Sequence, residues 1–95
     1  MLDDAATLLQ GAIARDVLAW CRAEGIRVTR RLVRRLATPA RPAETAIELV
    51  LDDTVVTVCA ERVEVRMPHR TATWPYQASD VVQVVAAIAR AIETG

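Results

Sequence analysis

The sequence has few of the residues that build catalytic and metal sites. Its 95 residues include one histidine, two cysteines and three glycines. The glycines stand apart at positions 11, 25 and 95, which excludes a glycine-rich phosphate loop. His69 lies between two predicted strands, where we expect an exposed turn residue rather than a general base. These absences predict a protein that is not an enzyme and that holds no cofactor or metal.

Aromatic side chains are also scarce, with two tryptophans, one tyrosine and no phenylalanine. Aliphatic side chains must therefore build the core, and hydrophobic residues make up 53% of the chain. A chain of this length buries roughly 60–65% of its unfolded surface, enough for one modest core. We expect one domain over residues 1–95, with an apolar surplus that indicates a buried partner surface.

The sequence has neither a closely spaced cysteine pair nor a long apolar run. Cys21 and Cys59 are expected to be buried thiols, as is usual in a reducing cytoplasm. Gln83 and Arg90 interrupt the apolar stretches, which are too short to span a membrane. The N-terminus has acidic residues where a signal peptide has basic ones. The sequence therefore predicts a cytoplasmic protein with no membrane contact.

Positive charge is abundant in one region only. Six of the twelve cationic residues, all arginine, fall between Arg27 and Arg41, with no acidic residue among them. From Arg22 to Pro42, seven arginines and one glutamate give a net charge of +6, and the remainder of this neutral chain carries −6. Such a polarised charge distribution attracts acidic partners to its positive pole.

Hydrophobic periodicity predicts an α+β fold. A helical stripe runs over Leu2–Glu24, and Gly25 is a natural stop. Residues Ala46–Met67 alternate as three antiparallel strands do, with a tight turn at Asp52–Asp53. A candidate fourth strand covers Arg70–Trp74. We expect a three- to four-stranded antiparallel meander covered by N- and C-terminal helices, in the order α-(α or β)-β-β-β-α.

The segment of residues 27–37 fits both a helix and a strand. A helix capped by Thr29 separates arginines from apolar residues cleanly, and we favour it. A strand would place Arg30 and Arg34 on the same face as Leu32. The two prolines of residues 38–44 predict an extended linker after this segment.

The last predicted helix covers residues 79–93, with Ser79 or Asp80 as its cap. It is apolar around most of its circumference, unlike the surface helix of a monomer. This composition predicts association with a second chain, with Trp74 as an additional anchor. The helix residues expected at that interface are Val81, Val84, Val85, Ile88 and Ile92.

The stretch EGIRVTRRLVRRL resembles the second half of the helix-turn-helix in the DNA-binding domains of bacterial arginine repressors. The residues that follow the order of that family are Gly25, Ile26, Val28, Thr29, Val33 and Arg35. The resemblance implies that Thr29 opens a recognition helix that faces nucleic acid. By this resemblance, Arg30, Arg31, Arg34 and Arg35 would face the groove and the backbone. Together with Arg27, which precedes the helix, they form the predicted basic patch.

Two functional hypotheses follow from these patterns. The first is a non-enzymatic protein-protein interaction module or small adaptor. It would self-associate through the C-terminal helix, as a homodimer or larger assembly, or bind another protein. The second is a nucleic-acid-binding domain that uses the basic patch. The same patch would alternatively bind an acidic protein surface. A net charge of zero argues against nucleic acid, because most nucleic-acid-binding domains are basic overall.

Overall fold

The part of the chain that the structure describes forms a five-stranded sheet and two helices. A computed structural model describes residues 3–76 and 81–94, with side chains from residue 8 onward in those ranges. The helices are α1 (Asp3–Ala23) and α2 (Val81–Thr94). The strands are β1 (Thr29–Arg35), β2 (Glu44–Val50), β3 (Val55–Val58), β4 (Arg62–Arg66) and β5 (Thr71–Pro75).

The sheet is an antiparallel meander in which each strand pairs with the next one along the chain. Short connections suffice, because antiparallel neighbours need only a tight turn between them. The turn predicted at Asp52–Asp53 is confirmed, and Leu51 N–H donates to Thr54 O across it at 2.9 Å. The exposed turn predicted around His69 is also present, between β4 and β5.

The α+β class and the helix at each end are confirmed, but the sheet has five strands instead of three or four. The candidate strand Arg70–Trp74 is β5. The helix favoured for residues 27–37 is wrong, because this segment is strand β1. Its backbone pairs with β2 at seven positions, from Thr29 opposite Val50 to Arg35 opposite Glu44. The recognition helix implied by the resemblance is therefore not formed in this segment.

Gly25 ends the first helix as predicted. It has a φ of 71°, in the left-handed region that glycine adopts without steric cost. Ile26 N–H donates to Cys21 O at 2.8 Å, and Gly25 N–H donates to Arg22 O at 3.2 Å. These two bonds form a Schellman motif, which satisfies carbonyl groups at the helix end. The chain then turns back into β1.

The core lies between the helices and one face of the sheet. α1 packs over β2 and β3 and against α2. Buried side chains alternate along the strands, as expected when one face is covered. The principal strand residues of the core are Ile47, Leu49, Val56, Val58, Val63 and Val65. The buried helix residues are Ile13, Ala14, Val17 and Cys21 of α1 and Val84, Ile88 and Ala91 of α2.

Gln10 fixes α1 to the end of the sheet. Its Nε2 donates to Thr45 O at 3.1 Å and to Val58 O at 3.0 Å.

The connection between β1 and β2 contains the linker predicted for residues 38–44, although Glu44 already belongs to β2. The predicted caps Ser79 and Asp80 lie outside the described residues. Neither described helix is long and apolar enough to cross a membrane.

Candidate functional site

Strand β1 divides the predicted basic patch between the two faces of the sheet. Side chains alternate along a strand, so successive arginines point in opposite directions. Arg30 is paired with the core residue Leu49, which places Arg30 and Arg34 on the helix side. Arg31 and Arg35 lie on the face that carries no helix. The single cationic face expected of a helix is therefore replaced by two separate pairs.

On the face without helices, Arg35 belongs to a network of ion pairs. Its Nη1 and Nη2 donate to the two carboxylate oxygens of Glu64 at 2.9 and 3.1 Å. Arg62 donates through Nε to Glu64 Oε2 at 3.0 Å and through Nη2 to Glu44 Oε2 at 3.1 Å. Bidentate arginine–carboxylate pairs are among the strongest hydrogen-bonded contacts in proteins. Two arginines and two glutamates leave this network neutral.

The network lowers the pKa of Glu64, the carboxylate that both arginines contact. The hydrogen bond from Arg35 is the main reason that the pKa of Glu64 lies below its usual range, and burial opposes this shift. The pKa of Arg35 is raised, chiefly by the same bond. Arg31 is also paired, and its Nε donates to Glu48 Oε1 at 2.6 Å. Arg31 and Arg35 are thus neutralised by carboxylates of the same chain.

Arg30 instead lines a cleft between α1 and β1, and Arg34 lines a second cleft at the end of the sheet. A cleft of about 660 Å³ is lined by Arg15 and Arg22 of α1 together with Arg30. A second cleft of about 510 Å³ is lined by Arg34 and Arg41. Arg30 and Arg34, which line different clefts, lie about 13 Å apart along β1, since they are four strand residues apart. We call this surface the arginine furrow, defined by Arg15, Arg22, Arg30, Arg34 and Arg41.

The furrow arginines differ from Arg31 and Arg35 of the opposite face, because those two are paired with glutamates. Among the side chains that the structure describes, no carboxylate lies within ion-pair distance of the five furrow arginines. Glu44 and Glu61 line the second cleft, but Glu44 is bound to Arg62. Cations on one surface without carboxylate partners create a positive potential that attracts anionic groups. The furrow therefore has unused capacity to bind acidic groups.

Apolar side chains accompany the furrow arginines. Leu8 on α1 lines the first cleft and is 74% exposed. Leu32 lies on β1 between Arg30 and Arg34, on the same face, and is 69% exposed. Exposed leucines beside cations suit a partner with both apolar and acidic side chains.

Sequence reasoning missed the α1 wall of the furrow. Leu8, Arg15 and Arg22 are spaced by seven residues, which places them on one stripe of a helix. The sequence contains this spacing, but it does not show that this side of α1 lies next to β1. Arg27 was assigned to the basic patch, and it is exposed in the segment before β1.

The interface predicted on α2 is largely occupied by the chain itself. Val84 is 5% exposed and Ile88 is fully buried, both in the core. The other predicted interface residues are partly buried and pack against that core: Trp74, Val81, Val85 and Ile92. The solvent side of α2 presents Val82, which is 79% exposed, and Ala86. α1 packs against α2, on the far side from the furrow.

The groups considered for chemistry are dispersed. Cys21 and Cys59 are free and buried, as predicted, and burial raises the pKa of both thiols. Within residues 3–76 and 81–94, no three His, Cys, Asp or Glu side chains are grouped closely enough to hold a metal ion.

Compared with known protein families, with curated proteins and with solved structures, the chain matches none of them. The arginine furrow is accordingly the surface from which a function is argued.

Proposed function

We propose that the protein is a non-enzymatic interaction module that binds an acidic and partly apolar protein segment in the arginine furrow. The observation that carries this proposal is the set of five arginines without a carboxylate partner among the described side chains. They lie beside the exposed leucines Leu8 and Leu32. Binding would bring carboxylates to these cations and remove apolar surface from water at about 25 cal/mol per Å².

A protein segment suits this surface better than nucleic acid does. Sites for single strands usually add exposed aromatic side chains on which bases stack. Here Tyr76 is buried, and Trp20 and Trp74 are partly buried against the core. Duplex readers of the helix-turn-helix type need a helix where this chain has β1. Exposed leucines, in contrast, are what a protein partner covers.

Selection from a library of random peptides tests the proposal. Peptides of about 16 residues are long enough to form a helix of about 24 Å. We expect the selected peptides to be enriched in Asp and Glu together with large aliphatic residues. The double variant Arg30→Glu/Arg34→Glu should bind them at least about tenfold more weakly, a change of about 1.4 kcal/mol.

The matched control is Arg66→Glu/Arg70→Glu, which makes the same change of charge at exposed positions outside the furrow. It should bind the selected peptides as the wild type does. Circular dichroism must show both variants folded. Selected peptides without acidic enrichment, or equal binding by the furrow variant, would reject the proposal.

Titration with a short DNA duplex at two salt concentrations covers the nucleic-acid alternative. Binding that falls steeply with salt reports the release of counterions from phosphates. If the duplex binds more tightly than the selected peptides, and only the furrow variant loses it, the furrow is a nucleic-acid site and the proposal is wrong. We expect the duplex to bind more weakly than the peptides.

Self-association through α2 is a second candidate function, favoured by the exposure of Val82. Val84 and Ile88 cannot take part without opening the core, so contact would fall on Val82, Ala86 and the partly exposed Val85. A strip this narrow buries less surface than stable dimers do. Sedimentation equilibrium at high micromolar concentration should show a weak dimer that Val82→Glu abolishes. A wild type that is strictly monomeric under these conditions rejects this candidate.

A further inference from the structure

We infer that the segment bound in the arginine furrow is an α-helix with acidic flanks, lying beside α1 and above β1. This inference rests on the proposed function and adds the form of the partner. A protein segment has two ways to meet this region. It can pair as a strand with the free edge of β1, or it can lie as a helix in the furrow itself.

The geometry of the two layers leaves a place for a third helix. α1 packs over β2 and β3, so its axis lies about one and a half strand spacings, or about 7 Å, from β1 in the plane of the sheet. Packed helices have axes 8–10 Å apart. A helix packed against the free side of α1 would therefore lie directly above the outer part of β1. Leu32 would form part of the floor beneath it.

The side of α1 that faces this position carries small residues, which allow a neighbouring helix to approach closely. Gly11 and Ala12 line the first cleft between the larger side chains Leu8 and Leu18. A Cβ atom at Gly11 would meet no described atom within 4 Å apart from its two chain neighbours and the nearby backbone of α1. Small residues between large ones make a groove that receives the ridge of a neighbouring helix. A strand added at the β1 edge would leave this groove empty.

Arginines lie on both sides of the apolar residues between α1 and β1. Arg15 and Arg22 are two helical turns apart on the α1 side, about 10 Å along the helix axis. Arg30 and Arg34 are about 13 Å apart on the β1 side. A helix with an apolar stripe and acids on both flanks, repeated every seven residues, meets both rows. A strand paired with β1 would leave Arg15 and Arg22 unused.

Charge disfavours a second copy of this chain at the free edge. Antiparallel pairing of β1 with itself about Leu32 would set Arg30 opposite Arg34 of the other copy, twice. Like charges directly opposite each other destabilise a strand pair. Charged edge strands of this kind protect sheets from edge-to-edge association. An occupant with acidic groups avoids this repulsion.

Two labelled peptides of identical composition distinguish the two modes of binding. Both contain only leucine, glutamate and alanine. One places leucine at helical spacing with glutamate on both flanks, and the other alternates leucine or alanine with glutamate as a strand does. We expect the helical peptide to bind about tenfold or more tightly than the alternating one, and to gain helical circular dichroism on binding.

The variant Gly11→Leu adds a blocking test. It fills the groove on α1, where the helix backbone tolerates a side chain, so the protein should stay folded. We expect it to lose at least about tenfold in affinity for the helical peptide, about 1.4 kcal/mol. Ala23→Leu adds a leucine at an exposed position of α1 that does not line the cleft, and it should bind as the wild type does.

The outcomes separate the inference from the proposed function. If the alternating peptide binds more tightly, if Gly11→Leu binds normally, or if Arg15→Glu/Arg22→Glu retains affinity while Arg30→Glu/Arg34→Glu loses it, the partner is not a helix in the furrow. The furrow would still be an acidic-protein site. If neither peptide binds and the library selection also shows no acidic enrichment, both the inference and the proposed function are wrong.

Discussion

At the scale of single residues, Glu64 links the first strand to the fourth across the face without helices. It accepts hydrogen bonds from Arg35 of β1 and Arg62 of β4. These side chains lie on the same face as three small residues that are buried although no helix covers them: Ala46, Thr57 and Cys59. The ion pairs thus provide on this face the shielding from water that helices provide on the other.

Glu64→Gln should lower the free energy of unfolding at neutral pH by about 1–2 kcal/mol, because two arginines lose a charged acceptor. The folded pKa of Glu64 is depressed, so its contribution is present above the unfolded value of about 4.3 and is lost as pH falls through the folded value. Urea unfolding from neutral to acidic pH measures this. The gap between wild type and variant should narrow as the pH falls.

Glu61→Gln is the control for that experiment. Glu61 is exposed, and among the described side chains it forms no ion pair. Its substitution should change stability by less than about 0.5 kcal/mol at any pH. A gap for Glu64→Gln that stays constant down to acidic pH would show that packing, and not charge, explains its effect.

At the scale of elements, the two internal glycines, Gly11 and Gly25, should respond in opposite ways to alanine. Gly25→Ala forces a side chain into the left-handed region at the end of α1 and should cost about 1 kcal/mol. Gly11→Ala adds a methyl group in open space inside α1 and should stabilise the protein by about 0.5–1 kcal/mol. Thermal or urea unfolding of both variants tests this. Equal signs would contradict the helix end described at Gly25.

The inner and outer sides of α2 provide a second contrast. Ile88 is fully buried, so Ile88→Ala should lower the free energy of unfolding by about 2–5 kcal/mol. Val82→Ala, on the solvent side, should change it by less than about 0.5 kcal/mol. Urea unfolding monitored by circular dichroism gives both values. Similar losses at the two positions would mean that Val82 is also covered, as self-association would require.

Sequence patterns predicted most elements because their periods are unambiguous. The alternation over Ala46–Met67 and the helical stripe over Leu2–Glu24 each fit one structure. Residues 27–37 fit two structures. Their arginines share one face of a helix, but they also divide evenly between the two faces of a strand. These arginines are Arg30, Arg31, Arg34 and Arg35. The choice depended on pairing with β2, for example Leu32 opposite Ile47, and local sequence does not contain that contact.

At the scale of the whole molecule, the positive pole predicted from the sequence is rearranged by folding. Arg31 and Arg35 leave it, because glutamates from β2 and β4 neutralise them. Arg15 joins it from α1, because the chain reverses at Gly25. The candidate site is therefore half visible in the sequence. Its other half depends on which face of β1 each side chain occupies and on where α1 lies.

The positions of the two helices in the sequence have a consequence for folding. α1 and α2 lie on opposite sides of the meander in the chain, yet both contribute to one core. The strands therefore expose core valines until α2 packs on them. Transiently exposed hydrophobic surface makes partly folded chains prone to aggregate, so a chain in which α2 has not yet docked is the form most in need of a chaperone.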